Sequence, residues 1–326
     1  MARTLFRKKK KQKKPLVIAL ACLCAAALAV GVVAWTLSRH PDSEDSSLSN
    51  QPVKVTHKTL PKEFVDRNTY FPYVALYDIT GKEMLYTKNP NAKCYPASLT
   101  KLMTAILVCE NTTDETVITV GNEVHMAAAG SSRAWLTEGS QLNRTQLVQA
   151  LMLPSGNDAA YVAAVQVGRI LAKNQQLDRY AAVSRFCKEM NKKADALGCT
   201  GTHFQNPDGI HESGHYTTAA DMVKIAVCAL ENPVIAKVAA QPKVKTTLLS
   251  GQTVEWESTN LLLLEDNIYT YEGATGLKTG TTDEAGYCLA ASATRNGRTS
   301  IAVVMGSESE NGRWDDCSGL LDMSFQ

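Results

Sequence analysis

Strand-like segments lie at the two ends of the folded part of this chain, with helical periodicity between them, and that distribution restricts the fold more than any other feature. From Tyr70, "YFPYVALYDITGKEMLYTKN" holds two β-rich runs on either side of "DITGKE", with Gly81 at the turn, which is a hairpin pattern. Towards the C-terminus "TGLKTGTT", "AGYCLAASATR" and "RTSIAVVMG" have strand character again, and Asn296-Gly297 marks a tight turn between the last two. Connections this short allow no parallel crossover. The expected fold is therefore α+β, one antiparallel sheet built from both ends and flanked by helices, with an all-helical lobe inserted over about residues 112–205. The clearest helical runs of the lobe are "RTQLVQALML", "DAAYVAAVQVGRILA" and "YAAVSRFCKEMNKKADALG". Ahead of it, "SLTKLMTAILVCE" is apolar at Leu99, Leu102, Met103, Ile106 and Leu107, a helical period with Ser98 where an N-cap would stand.

The N-terminal end follows different rules. Arg3, Arg7, Lys8, Lys9, Lys10, Lys11, Lys13 and Lys14 are eight of the 34 basic residues; the other 26 face 32 acidic ones, so the remainder carries about −6 and offers no basic surface for nucleic acid. The run from Pro15 to Ser38 is uncharged and long enough to cross a bilayer core of about 30 Å as a helix. Lysine and arginine stay on the cytoplasmic side, which places everything after Ser38 outside the cytoplasm. Ala27-Leu28-Ala29 would suit a cleaved signal peptide; an uncleaved anchor is favoured because the apolar run continues through Trp35 to Leu37. The expected organisation is a basic tail (1–14), a membrane anchor or signal segment (15–38), a flexible Ser-rich linker (39–61) and a folded domain (62–326). Seven cysteines lie beyond the anchor, an odd number without C-x-x-C spacing, and they are expected to be mostly buried thiols.

Three short elements could carry chemistry: "SLTK" at Ser98–Lys101, "SGN" at Ser155–Asn157 and "KTG" at Lys278–Gly280. An isolated S-x-x-K would arise about once by chance in a chain of this length, so the weight rests on the ordered set. That set, with "YPASLTKLMTA", "LMLPSGNDAA", "NPDGI", "HYTTAADM", "TNLLL" and "GLKTGTTDEAGYCLAASA", resembles the low-molecular-mass penicillin-binding proteins that are serine D-alanyl-D-alanine carboxypeptidases of the β-lactamase-like superfamily. The resemblance runs from about Tyr70 to the C-terminus. It implies a β-lactamase/transpeptidase-like fold and a hydrolase that removes terminal D-alanine from peptidoglycan stem peptides through an acyl-enzyme. It also implies β-lactams as acylating inhibitors, and no cofactor and no metal.

The residues support those roles on their own terms. On a helix Ser98 and Lys101 lie one turn apart, so the lysine amine can take the serine proton, provided burial and nearby positive charge lower its pKa. Pro154 stops the helix before "SGN" and presents Ser155 and Asn157 on a turn. The resemblance makes Ser155 the proton relay to the leaving amine, and gives Asn157 the task of holding Lys101 and the substrate amide. Gly156 stands where the related motif has Asp. In "LKTGTT", Lys278 adds positive charge, Thr279 a hydroxyl, and Gly280 lets a substrate backbone approach as an added strand. By resemblance the backbone N–H groups of Ser98 and Thr281 form the oxyanion hole. Arg313, in "MGSESENGRWDD", stands at the spacing where similar carboxypeptidases bind the substrate carboxylate.

Two other readings belong beside this one. A β-lactamase would need a glutamate-bearing loop between "SGN" and "KTG" that the sequence does not offer convincingly, and a DD-endopeptidase or a catalytically weak penicillin-binding wall protein would carry the same three motifs. "HESGH", His211–His215, spells the H-E-x-x-H of zinc peptidases, which requires a helix to align both imidazoles. Pro207-Asp208-Gly209 ahead of it signals a turn, and the helix at "TTAAD" begins only afterwards, capped by Thr217 or Thr218. The motif is expected on a loop, with His215 holding that loop against a helix. Relatives in the resembled family commonly continue into a β-rich second domain and an amphipathic helix, whereas this sequence stops at "LLDMSFQ"; the N-terminal run is expected to provide the attachment.

Overall fold

The hairpin expected after Tyr70 forms strands β2 (Tyr73–Asp78) and β3 (Glu83–Lys88), and its turn is closed by Asp78 Oδ1 accepting from Gly81 N at 3.0 Å. The computed structural model describes residues 54–55, 58 and 71–326. At the other end β8 (Ala274–Thr282), β9 (Gly286–Arg295) and β10 (Arg298–Ser307) form a meander. Asn296 and Gly297 both take positive φ, 51° and 76°, as a two-residue hairpin loop requires. β10 then pairs antiparallel with β2, Ser300 opposite Asp78, so the two ends of the domain close one sheet in the order β1-β3-β2-β10-β9-β8.

One strand departs from the all-antiparallel expectation. β1 (Lys54–Val55) runs parallel to β3. Its neighbour in space is not its neighbour in sequence, since β2 intervenes, so the restriction to short connections does not reach it. Within the expected linker 39–61, Lys54 and Val55 pair with the backbone of the edge strand, and Lys58 donates from Nζ to Met323 O at 2.9 Å. The expected tail, the membrane segment and the rest of the linker lie outside the described residues.

The sheet is covered on both faces, which is why β10 reads as the continuous apolar run "IAVVM" and does not alternate. On one face Val74, Leu76, Leu289, Ala291, Ala302 and Val304 pack with Trp314, Cys317, Leu320 and Leu321 of the C-terminal helix Glu310–Phe325. On the other lies α5 (Ala219–Glu231), against which α1 (Thr100–Asn111) packs. Thr100 through Cys109 of α1 are all buried, the mark of a central helix. Beyond it the lobe is built from α2 (Arg144–Met152), α3 (Asn157–Leu171) and α4 (Arg179–Ala196). α3 and α4 approach so closely that a Cβ on Gly168 would lie 2.1 Å from Ala182 O. Short α6 (Pro233–Ala239) packs on β8, and the C-terminal helix is α7. All seven cysteines among the described residues are free, and six of them are buried.

Three elements escape the sequence reading. The small pair β4 (Ile118–Thr119) and β5 (Gln141–Leu142) lies inside the lobe expected to be all helical. The hairpin β6 (Lys243–Thr247) and β7 (Thr253–Glu257) is a separate two-stranded ribbon, anchored by Trp256 Nε1 donating to Ala134 O at 2.9 Å. The third is α7, over a stretch for which the sequence predicts no helix.

Candidate active site

Ser98 sits in a single 3-10 turn, Ala97–Leu99, that leads into α1. This corrects the expected N-cap: the capping position belongs to Leu99, in helical conformation and without a side-chain bond. The Ser98 hydroxyl is thereby left to accept a hydrogen bond from Lys101 Nζ at 2.8 Å. Ala97, immediately before, has φ 46°, an unfavourable conformation for a residue with a Cβ. Opposite it a Cβ on Gly209 would fall 1.8 Å from Ala97 O, so a glycine is needed there both for its φ of 89° and for space.

Lys101 is completely buried and its ammonium has three acceptors, Ser98 Oγ at 2.8 Å, Asn157 Oδ1 at 2.6 Å and Asp208 O at 2.8 Å. Burial pushes its pKa down to about 8, against the opposing charges of Asp208 and Asp158. Asn157 opens α3, with Gly156 as its N-cap, and is buried; the expectation of a turn holds for Ser155, while Asn157 is already helical. Ser155 itself has φ 58°. The segment is held by Ser132, whose Oγ donates to Ser155 O at 2.7 Å and whose carbonyl accepts from Asn157 N at 2.9 Å.

The third motif arrives on β8. Lys278 is buried, and burial together with the charges of Lys101 and Arg313 holds its pKa well below the usual lysine value. Thr279 Oγ1 lies 2.6 Å from Thr259 Oγ1. Gly280 passes so close to the Ser98 turn that a Cβ there would lie 2.9 Å from Ser98 N. Arg313 is on α7; its guanidinium donates to Thr281 Oγ1 at 3.0 Å and to Glu310 Oε1 at 2.8 Å. A cleft of about 510 Å³ is lined by Ser98, Ser155, Asn157, Gly280, Thr281 and Arg313 among others, with Lys101 and Lys278 buried beneath its floor. All nine sequence-predicted residues therefore converge on one place.

The family model described as D-alanyl-D-alanine carboxypeptidase matches residues 72–309. The chain belongs to that family. It is 34% identical to the D-alanyl-D-alanine carboxypeptidase DacF of Bacillus subtilis over 76% of this chain, and 35% identical to a Streptomyces D-alanyl-D-alanine carboxypeptidase over 74% of it. The matches span 59% and 82% of those two relatives. Among solved structures it is similar to a Streptomyces DD-transpeptidase, with TM-score 0.73 and 32% identity over 82% of this chain and 99% of that one. It is also similar to DacD of Francisella tularensis, with TM-score 0.69 and 25% identity over 88% and 76%. The architecture of this D-alanyl-D-alanine carboxypeptidase family member is thus the transpeptidase/β-lactamase-like fold expected from the sequence.

"HESGH" lies on the loop between α4 and α5, and Thr218 caps α5 by accepting from Asp221 N. The two imidazoles go separate ways: His211 packs edge-on to Tyr95, and His215 is buried beneath the nucleophile turn. Gln205 N donates to His215 Nδ1 at 3.2 Å, which leaves Nε2 to donate to Thr100 Oγ1 at 2.8 Å. Two further residues went unassigned in the sequence. Asp158 accepts from Ala134 N and Leu136 N at 2.8 and 3.0 Å and fixes one wall of the cleft. Asp208 reaches Lys101. Both belong to motifs legible in sequence, "SGNDAA" and "NPDGI", but only burial tells their carboxylates from ordinary capping groups.

Proposed function

We propose that this chain is a serine DD-carboxypeptidase that removes the terminal D-alanine from peptidoglycan stem pentapeptides and is acylated by β-lactams. The observation that carries the reading is the 2.8 Å contact between Lys101 Nζ and Ser98 Oγ, made by an amine that burial holds near pKa 8. A lysine at that value is a competent base close to neutrality. Ser98 Oγ attacks the carbonyl carbon of the penultimate D-alanine as its proton passes to the neutral Lys101 amine. The carbonyl oxygen becomes an oxyanion facing the backbone N–H groups of Ser98 and Thr281. Collapse breaks the C–N bond; the leaving nitrogen takes the proton from Lys101 through the Ser155 hydroxyl, and D-alanine departs. Water then adds to the ester carbonyl and gives a proton to the same lysine; the bond between the acyl carbon and Ser98 Oγ breaks, Oγ takes that proton back from Lys101, and the shortened peptide leaves as the acid.

Asn157 holds the lysine, Lys278 and Thr279 bring charge and a hydroxyl to the substrate, and Gly280 admits its backbone beside β8. Arg313 is the partner of the free carboxylate that separates a carboxypeptidase substrate from an internal peptide. The basic cluster and the uncharged run 15–38 support a single-pass anchor with the domain outside the cytoplasm. No helix of the described residues is long and apolar enough to cross a membrane, so in this reading attachment comes from that run.

The test is release of D-alanine from a pentapeptide ending in D-Ala-D-Ala by the full chain in detergent, with Ser98→Ala beside it. Expected is release by the wild type and a loss of at least 1,000-fold in the variant, the scale of removing a nucleophile. Acylation of Ser98 by a labelled penicillin without any D-alanine release would leave a penicillin-binding role and sink the carboxypeptidase one.

A further inference from the structure

Asp208 is a charged residue buried near the cleft. Only 1% of it is exposed, its Oδ1 accepts from Ile210 N at 3.3 Å, and its Oδ2 is enclosed without a hydrogen-bond partner. An enclosed carboxylate oxygen with nothing to accept is costly, and a buried apolar residue would cost less. The surrounding loop nevertheless fixes it from several sides. Asn206 Oδ1 accepts from Gly209 N at 2.8 Å, and Asn206 Nδ2 donates to Ile210 O at 2.8 Å and to Glu212 Oε1 at 3.0 Å. Two side chains of α1 grip the same loop, Thr104 Oγ1 donating to Pro207 O at 2.6 Å and Lys101 Nζ to Asp208 O at 2.8 Å. Lys101 Nζ therefore bonds the backbone oxygen of Asp208 and makes no bond to its carboxylate.

We propose that the Asp208 carboxylate is the counter-charge of Lys101 and sets the pH at which that amine can act as base. The inference rests on the serine–lysine reading above. Lys101 is faced by Asp208 from the loop, by Asp158 from α3 and by Lys278 from β8, with Arg313 beyond Lys278. Burial raises the Asp208 pKa above the usual carboxylate value, the charge of Lys101 and backbone hydrogen bonds oppose that shift, and Glu212 of its own loop adds to it; Tyr161 of α3 and Cys187 of α4 also face the carboxylate. Burial removes charge from Lys101, and the largest opposing influence is Asp208, with Asp158 next. Asp158 spends its two oxygens on backbone N–H groups, whereas Asp208 keeps one free of any bond. Without Asp208 the amine would lose its proton at lower pH. Its three acceptors, Ser98, Asn157 and Asp208 O, would then hold a neutral amine in the resting site. With it, the ammonium and its bonds persist to about pH 8 and the nucleophile stays positioned until substrate arrives.

The experiment measures the second-order acylation of the full chain in detergent by a fluorescent penicillin from pH 5 to 9.5, for the wild type, Asp208→Asn and Asp208→Glu. The wild-type rate is expected to rise with pH through about 8. Removing a negative charge lowers the pKa of a neighbouring amine, so in Asp208→Asn the rise moves to lower pH by about one to three units. Relative to its own plateau that variant then acylates at least tenfold faster than the wild type at pH 6, while Asp208→Glu keeps the wild-type midpoint within about half a unit. A midpoint unmoved in Asp208→Asn, with Ser98 labelled, overturns the proposal, because a merely structural role lowers the plateau and leaves the midpoint in place. Wild type that is never labelled at Ser98 overturns the serine–lysine reading instead, so the two failures are distinct. If Asp208→Asn does not fold, the carboxyl carbon of Asp208 in carbon-13-labelled wild type gives the answer: an ionised carboxylate at pH 7 is expected, and a protonated one overturns the proposal.

Discussion

His215 shows how much of the chemistry is decided one side chain at a time. In sequence it ends an H-E-x-x-H motif; in the fold it is a buried ring whose two nitrogens are both engaged, pinning the loop that carries Asp208 to Thr100 at the start of α1. Burial and the neighbouring His203 and His211 lower its pKa from 6.5 to about 3, so it stays neutral near pH 7. Because the folded-state value lies below the unfolded one, the unfolded chain takes up the proton first. The stabilisation is complete above pH 6.5 and is lost as pH falls towards about 3. In His215→Gln the amide can still bridge Gln205 N and Thr100 Oγ1 but cannot titrate. The stability difference between wild type and variant is therefore expected to shift by about 2 kcal/mol against the wild type between pH 6.5 and 5, measured from urea midpoints. A difference constant with pH would show that the ring is not held neutral. The motif was legible as a loop because Pro207-Asp208-Gly209 precedes it and the cap of α5 follows it; its partner on α1 was not, since no local pattern reports which hydroxyl a ring nitrogen will meet.

At the scale of elements, those that carry their own periodicity were read correctly and those stabilised mainly by what they pack against were not. α1, β9 and β10 have the apolar spacing or turn chemistry that names them. α7 does not: Gly312, Asp315, Asp316, Ser318 and Gly319 are poor helix formers, and it is held by burying Trp314, Cys317, Leu320 and Leu321 against the sheet. Arg313 could thus be placed at the site by spacing and resemblance while its element was missed. β8 shows the converse, a strand recognised at once whose functional demand is steric. A methyl group at position 280 would press on Ser98 N, Pro96 O and the Ala97 side chain at 2.9 to 3.1 Å, so the strand or the nucleophile turn must shift by a few tenths of an ångström. Gly280→Ala is therefore expected to acylate with penicillin at least tenfold more slowly, while its thermal midpoint falls by only a few degrees. Equal acylation rates would mean that the close approach is not needed for the reaction.

The whole domain brings the site together from parts far apart in sequence. Ser98 comes on the 3-10 turn before α1, Lys101 on α1 itself, Asn157 on α3 of the helical lobe, Asp208 on a loop after α4, Lys278 on β8 and Arg313 on α7. The ordered motifs revealed that these segments meet, but not how tightly, and the tightest approach is Gly209 under the nucleophile turn. Two glycines separate conformational strain from that steric demand. Gly209 and Gly139 have similar φ, 89° and 84°, yet a Cβ on Gly139 would have nothing within 4 Å while one on Gly209 would overlap Ala97 O at 1.8 Å. Alanine at position 139 bears only the left-handed strain, about 1–2 kcal/mol, and should leave acylation unchanged. Alanine at position 209 bears the same strain and must also drive the loop and the turn apart, at a further cost of about 1–3 kcal/mol. It would carry Asp208 away from Lys101 as it does so. Urea midpoints and penicillin acylation rates measured side by side should then show Gly139→Ala losing stability alone and Gly209→Ala losing stability and at least tenfold in rate. If both variants lose rate equally, backbone strain governs the site; if neither does, the loop yields without the turn, and the nucleophile is held from α1 alone.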